Sequence, residues 1–249
     1  MIGGFHPCSF LDFPGRLSAV VFLRGCNLRC PYCHNRDLLD GDGPPAMDEP
    51  ALRAFLSARR GRLDGVVFSG GEPTLQPELR PLIEAARALG YRVKLDTNGT
   101  RPEVLQELLG DGLLDYVALD LKDEPAAYAE WLGMREGPEV LLHRLDVVKS
   151  SGIDHELRTT VVFARHDEER LGRMAWWARG CRRWILQPCR PDVRHAAIAL
   201  NPSREAALED LASRLHARHG VPCRCRSARR SLRGASPVMS AQRGDATCP

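Results

Sequence analysis

Six short apolar runs recur along the chain: Ala19–Leu23, Gly65–Phe68, Tyr91–Leu95, Tyr116–Leu119, Leu157–Val162 and Trp184–Leu186. They are nearly continuous in hydrophobicity and rich in β-branched and aromatic residues, the pattern of parallel strands covered on both faces. Longer amphipathic stretches lie between them: Glu49–Ala58, Pro77–Leu89, Pro102–Leu109, Pro138–Ser150 and Glu168–Arg179. Several open on proline or an acidic residue and stop at glycine, as at Leu89-Gly90 and Ser151-Gly152, which are helix start and stop signals. Pro138–Ser150 puts Val140, Leu141, Leu145 and Val148 on one broad face. A further helix is predicted at Ser203–His219, with an edge strand around Val221–Cys225.

Alternating strands and helices imply parallel strands joined by right-handed crossovers. About six such units, rather than eight, predict an α/β fold: a partial (β/α)6 TIM-like barrel of parallel strands with outer helices. Its functional loops are then expected at the C-terminal ends of the strands. From Ser227 the chain turns rich in Arg, Ser, Gly and Ala and loses its periodicity, so one domain is expected over residues 1–226 and a disordered tail over 227–249.

Composition changes this picture only by exclusion. With 43% hydrophobic and 27% charged residues the chain is ordinary for a globular protein. Its net charge of +3, from 35 Lys+Arg against 32 Asp+Glu, sets up no field that would draw nucleic acid. The basic excess is concentrated at Arg224 to Arg243. No apolar run is long enough for a bilayer, and Met1 to Asp12 lacks the basic start and apolar stretch of a secretory signal. Nine cysteines, three of them within eight residues, point to a metal in a reducing compartment rather than a disulfide framework, so a cytoplasmic address is expected.

Those three are Cys26, Cys30 and Cys33, spaced Cys-x3-Cys-x2-Cys directly after the first strand. Three soft, anionic thiolates on one loop can each take one iron of a [4Fe–4S] cubane and leave the fourth iron open to a small molecule. A zinc site would want four ligands in paired spacings, and no second Cys-x2-Cys is present. His34 adjoins Cys33, where simultaneous tetrahedral coordination is awkward. Cys8, Cys181, Cys189, Cys223, Cys225 and Cys248 form no ferredoxin array; Cys189, Cys223 and Cys225 could hold a second cluster only if the fold united them.

The surrounding residues resemble the radical S-adenosylmethionine (SAM) superfamily, and within it the activating proteins of glycyl-radical enzymes. The resemblance runs from about Ser9 to Pro188, and the residues that carry it are Asp12-Phe-Pro-Gly15, Gly25 to Asn35, Ser69-Gly-Gly-Glu-Pro-Thr74, Lys94-Leu-Asp-Thr-Asn-Gly99, Asp120-Leu-Lys122 and Arg158-Thr-Thr160. It implies that a reduced cluster cleaves SAM to methionine and a 5′-deoxyadenosyl radical, which removes hydrogen from a backbone glycine of a partner. The partner implied is anaerobic ribonucleoside-triphosphate reductase, and the electron donor a flavodoxin or ferredoxin-type protein.

By the same resemblance Gly70, Gly71 and Glu72 cradle the methionine end of SAM, with Glu72 near its ammonium. Asp96 and Thr97 lie near SAM, and in some relatives a monovalent cation sits by that carboxylate. Asp120 is placed near SAM or that cation, Lys122 near the SAM carboxylate, and Tyr32 near adenine. Arg158 is expected to pair with SAM or with Asp120, and Gln187 to line the barrel mouth. Each segment has a plainer reading as well: a tight βα turn for Gly70-Gly71, side-chain-capped turn residues for Asp96 to Asn98, a strand-end ion pair for Asp120 and Lys122, a surface tyrosine for Tyr32. His6, His143 and His155 read as surface or core polar residues. No nucleophile or acid–base pair stands out, and hydrogen abstraction needs none. Two other functions remain open: a radical SAM enzyme acting on a small molecule, as 7-carboxy-7-deazaguanine synthase does, and a non-catalytic metal-binding interaction protein. The former tends to carry Cys-Asp-Thr where this chain has Cys33-His-Asn35.

Overall fold

The structure, a computed structural model, describes residues 1–134, 137–189 and 202–226; the expected tail at 227–249, with Cys248, lies outside them. The six apolar runs become β2 (Arg16–Leu23), β3 (Gly65–Gly70), β4 (Arg92–Thr97), β5 (Tyr116–Asp120), β6 (Asp154–Val161) and β7 (Trp184–Pro188). They pair in chain order and in parallel, and β8 (Cys223–Cys225) adds the expected edge strand beside β7. The helices are α1 (Glu49–Ala58), α2 (Leu79–Ala88), α3 (Pro102–Gly110), α4 (Tyr128–Leu132), α5 (Pro138–Ser150), α6 (Glu168–Ala178) and α7 (Pro202–His219). The eight strands run β1 to β8 without closing, so the barrel is partial.

One strand was not expected. β1 (Ile2–Phe13) precedes the first parallel strand and pairs with β2 in antiparallel fashion through a turn at Gly15, φ 71°. Its register shifts three times, between Ile2 and Gly4, His6 and Ser9, and Ser9 and Phe13, so its apolar positions never settle into a period of two. The short helix α4 was also not anticipated; it packs Tyr128 and Leu132 into a small cluster with Leu28 and Tyr32.

Within the parallel strands the side chains alternate. Val21, Phe68, Leu95, Leu119, Leu157 and Leu186 join Leu52, Leu56, Ile83, Leu105, Leu145 and Met174 of the helices in the main core. The opposite set begins with Phe13, Val20, Val67, Tyr116 and Ala118, which form a second apolar cluster. Toward the C-terminal ends that same face turns polar, with Ser69, Asp96, Asp120, Arg158, Thr160 and Gln187. Runs that look uniformly apolar thus end in a polar layer on one side only.

Candidate active site

The C-terminal ends of β2 to β7 surround a cavity of about 220 Å³. Cys26, Cys30, Tyr32 and Cys33 reach it from the loop after β2, Gly70 and Gly71 from β3, and Asp96, Thr97 and Asn98 from β4. Asp120, Lys122, Arg158 and Gln187 complete the wall. Every residue assigned from sequence to the cluster, to SAM or to the barrel mouth lines this cavity except Glu72.

The cysteine loop is pinned by backbone hydrogen bonds from Gly25 to the carbonyl of Leu38 (2.7 Å), Cys26 to Leu39 (3.1 Å) and Arg29 to Leu132 (2.8 Å). Leu28, fully buried, anchors its centre. The Leu28 amide donates to Cys26 Sγ at 3.4 Å and Asn98 Nδ2 to the same sulfur at 3.9 Å. Burial pushes the Cys26 thiol up to about 11 and raises Cys30 as well, while the Lys122 ammonium pulls both down. Thiols this reluctant to ionise become thiolates when a metal takes the place of the proton. Among the described residues no three His, Cys, Asp or Glu side chains converge as a single metal ion would require. A cubane, in which each cysteine binds a different iron, suits three sulfurs that line one cavity without converging on a point.

The two glycines of Ser69-Gly70-Gly71-Glu72 serve a contact that the sequence did not reveal. A Cβ at Gly70, where φ is +121°, would lie 2.3 Å from the carbonyl oxygen of Leu23, and one at Gly71 would lie 2.1 Å from that of Gly25. The space is taken by the cysteine loop, which is stitched on by Gly71 N–H to Leu23 O (2.9 Å) and Glu72 N–H to Gly25 O (2.8 Å). Asn35 Nδ2 adds a bond to Gly70 O at 3.1 Å.

Glu72 lies behind the cavity wall. It is wholly buried, and its carboxylate accepts hydrogen bonds from Thr74 N (3.1 Å), Thr74 Oγ1 (2.6 Å), Thr97 Oγ1 (2.6 Å) and Asn98 N (2.6 Å). Burial raises its pKa and these four donors lower it. It is a strut between the loops after β3 and β4, not a wall of the cavity.

Asp96 and Asp120 share Arg158, which reaches Asp96 at 2.9 Å and Asp120 at 3.2 Å. Lys94 also binds Asp96, and Lys122 binds Asp120 at 2.8 Å. Burial alone would raise Asp96, but Arg158 and Lys94 outweigh it and hold the carboxyl at about 2. Arg158 therefore pairs with both carboxylates, not Asp120 alone.

Tyr32 packs on Trp131 at 5.2 Å between ring centroids, and its hydroxyl, buried at the cavity wall, has no hydrogen-bond partner among the described residues. Such an orphan awaits a ligand polar group.

Several supporting contacts go beyond the sequence reading, which had Asn98 as a side-chain-capped turn residue, as its bond from Thr100 N at 2.9 Å shows. Asn98 accepts from Thr100 Oγ1 (2.7 Å) and donates to Asn27 (3.1 Å), whose amide reaches Thr100 at 2.8 Å, closing a ring that steadies the cysteine loop. Buried Arg144 of α5 donates to the Asn98 carbonyl and to Tyr128 Oη (2.7 Å), which in turn accepts from Lys122 N at 2.7 Å. A lysine inside an apolar strand run was the one signal available for Lys94; Arg144 and Tyr128 act only through tertiary contact.

Among the described residues the remaining cysteines form no group that could hold a metal ion, although Cys181 and Cys225 lie near enough to Cys223 to raise its pKa. Cys181, Cys223 and Cys225 sit in or against the main core, Cys189 in the cluster with Leu28 and Tyr32. His155 is a satisfied core residue, its ring bonded to Ile153 O (3.1 Å) and Arg182 N (3.1 Å).

A profile of the radical SAM superfamily matches residues 20–176. A protein of Methanocaldococcus jannaschii named as a glycyl-radical enzyme activating enzyme is 39% identical over 200 residues, 77% of this chain and 80% of that one. The 7-carboxy-7-deazaguanine synthase of Thermococcus kodakarensis is 28% identical over 219 residues, 78% of this chain and 82% of that one. The pyruvate formate-lyase 1-activating enzyme of Escherichia coli is 39% identical over 132 residues, 49% of this chain and 51% of that one. Among solved structures, Streptococcus suis SuiB bound to S-adenosylmethionine superposes with a TM-score of 0.63 at 15% identity, covering 84% of this chain and 52% of SuiB, so the chain spans about half of that protein.

Proposed function

The chain belongs to the radical SAM superfamily, whose cofactors are a [4Fe–4S] cluster and SAM, and from that premise we propose that it generates a glycyl radical on a partner enzyme. The observation that carries the cofactor assignment is that Cys26, Cys30 and Cys33 line one cavity together with the charged layer of Asp96, Asp120, Lys122 and Arg158. The likeness to activating enzymes at 39% identity over most of the chain carries the reaction.

In this reading Cys26, Cys30 and Cys33 hold three irons of the cluster. When bound, cluster and SAM supply the one-electron cleavage that yields methionine and the 5′-deoxyadenosyl radical. The chain's own part is positioning. Lys122, fixed by Asp120, offers its ammonium to the carboxylate of SAM. Backbone at Gly70 and Gly71 faces the methionine end, and the unpartnered Tyr32 hydroxyl and ring face adenine. Holding the sulfonium beside the electron source makes electron transfer intramolecular, and the walls keep water from a reactive carbon radical. The partner we favour is an anaerobic ribonucleoside-triphosphate reductase, with a flavodoxin or ferredoxin-type donor.

Anaerobic reconstitution with iron and sulfide tests this reading. About four irons per chain and dithionite-dependent SAM cleavage are expected, and both are lost when any one of Cys26, Cys30 or Cys33 becomes alanine. A glycyl-radical doublet in the electron-spin-resonance spectrum of the mixed reductase is the decisive signal for the partner. Cleavage that survives in the alanine variants would remove the cluster from this loop. The synthase relative supports a second reading, a small-molecule substrate, which His34-Asn35 after Cys33 disfavours.

A further inference from the structure

Asp96 and Asp120 at the cavity wall meet three cations, Arg158 and Lys122 of that wall and Lys94 buried behind it. Lys94 is 1% exposed and its ammonium is bonded to Oδ1 of Asp96. Oδ2 of that carboxylate accepts from Arg158 Nη1 at 2.9 Å and Ser69 Oγ at 3.2 Å. On Asp120, Oδ1 accepts from Arg158 Nε at 3.2 Å, and Oδ2 from Lys122 Nζ at 2.8 Å. Every carboxylate oxygen of the pair is therefore already matched to a side-chain cation. The nearest other acid, Glu156, is committed to Tyr116 Oη and Arg226, both at 2.9 Å.

A monovalent metal ion at Asp96, as the superfamily resemblance implies, does not fit this layer. Alkali cations are held by several oxygens at once, and here each oxygen would have to be shared with an ammonium or guanidinium of like charge to the ion. Thr97, the hydroxyl beside Asp96, gives no help, because its Oγ1 is engaged by Glu72 and by the Gly99 amide at 2.9 Å.

We propose that Lys94 and Arg158 provide, as fixed side-chain charges, the positive charge a monovalent metal would bring to Asp96, so that this protein binds SAM without one. This inference rests on the site being a SAM site. Lys94 lies one pleat below Asp96 on β4, 1% exposed, so its ammonium is held against Oδ1 of Asp96 and cannot swing away into solvent. Arg158 then couples the two carboxylates into one rigid layer, with Lys122 at its open side.

The experiment is equilibrium SAM binding to the reconstituted protein in potassium chloride and in tetramethylammonium chloride of equal ionic strength. The dissociation constants are expected to agree within about twofold; a saturable tightening of about tenfold or more with potassium would overturn the inference. Thallium-205 NMR gives a readout independent of SAM. The wild-type protein is expected to leave the thallium resonance unbroadened, and broadening that potassium reverses would likewise overturn the inference. Lys94→Met frees Oδ1 of Asp96 and is expected to make SAM binding potassium-dependent; if that variant does not fold, the two wild-type measurements decide alone. Loss of SAM binding in every medium would instead sink the proposed function, and the thallium measurement would still report on the inference.

Discussion

A methyl group at Gly71 would sit 2.1 Å from the carbonyl oxygen of Gly25, against backbone that carries the first cluster cysteine. Gly71→Ala is therefore expected to cost about 2 kcal/mol or more and to lower iron uptake on reconstitution. Gly110→Ala is the matched control, since nothing lies within 4 Å of a Cβ there, and its effect should stay within about 0.5 kcal/mol or be stabilising. Equal melting temperatures and equal iron content for the two variants would refute the clamp between the glycine loop and the cysteine loop. Glu72 offers a sharper contrast. All four of its hydrogen bonds are accepted, so Glu72→Gln turns an amide donor toward donors and is expected to cost about 1–3 kcal/mol of stability. Were Glu72 instead a partner of the SAM ammonium, the variant would keep its melting temperature and lose SAM affinity. The residues that touch the cavity were legible because they stand at strand ends, at the spacing their chemistry demands. The four bonds that Glu72 accepts behind the cavity wall were not legible, because its motif position says nothing about which way a buried carboxylate points.

At the scale of elements, the loops after β5 and β6 are tied together around Asp123 and His166, both fully buried side chains. Asp123 takes Arg165 at 2.7 Å and Arg170 at 2.6 Å. His166 accepts from Val162 N at 3.0 Å through Nδ1 and donates through Nε2 to the Lys122 carbonyl at 3.1 Å, which uses the neutral ring on both sides. Burial holds its pKa down to about 4, against a partial opposing pull from Asp123. In the unfolded chain this ring gains a proton as pH falls through 6.5, whereas the folded chain refuses it until about 4. Stability from this group is thus complete above 6.5 and falls with acidification across that window, by roughly 3 kcal/mol at most. Urea titrations from pH 7.5 to 4.5 should show that slope in the wild type and a shallower one in His166→Gln; parallel slopes would remove His166 as the cause. Because the folded ring stays neutral until about pH 4, its hold on the Lys122 backbone, and with it SAM affinity, is expected to persist across that range and to weaken only below it. The helices were read more accurately than such ties. Asp48 caps α1 through its bond from Ala51 N at 2.8 Å, and prolines open α1, α3 and α5, so their limits are written locally. The antiparallel β1 was missed because register shifts erase the alternation from which strands are read.

For the whole molecule the question is where the folding unit ends, since Gln187 on β7 is the last of the described residues to line the cavity. Among the described residues none of helix α7 or strand β8 lines the cavity, yet Leu208, Leu211, Leu215 and Val221 are buried in the main core. Arg226 neutralises buried Glu156 from the far edge of the sheet at 2.9 Å, and Glu156 in turn faces Tyr116 on the inner side of the barrel. Burying three leucines and a valine is worth about 6–12 kcal/mol in gross terms, comparable with the entire net stability of a typical domain, about 5–15 kcal/mol. A chain stopped at Pro188 keeps every residue assigned to cluster and SAM but loses that sum and leaves an unpaired acid in the sheet. It is therefore expected to show no cooperative thermal transition, rapid proteolysis and no iron uptake, whereas a chain stopped at Arg226 matches the full chain in all three. A chain ending at Pro188 that melts sharply and takes up four irons would show that the catalytic half-barrel stands alone, with α7 and β8 as an appendage. The opposite result makes an edge strand too short to carry any chemistry a condition for the chemistry at the other end of the sheet.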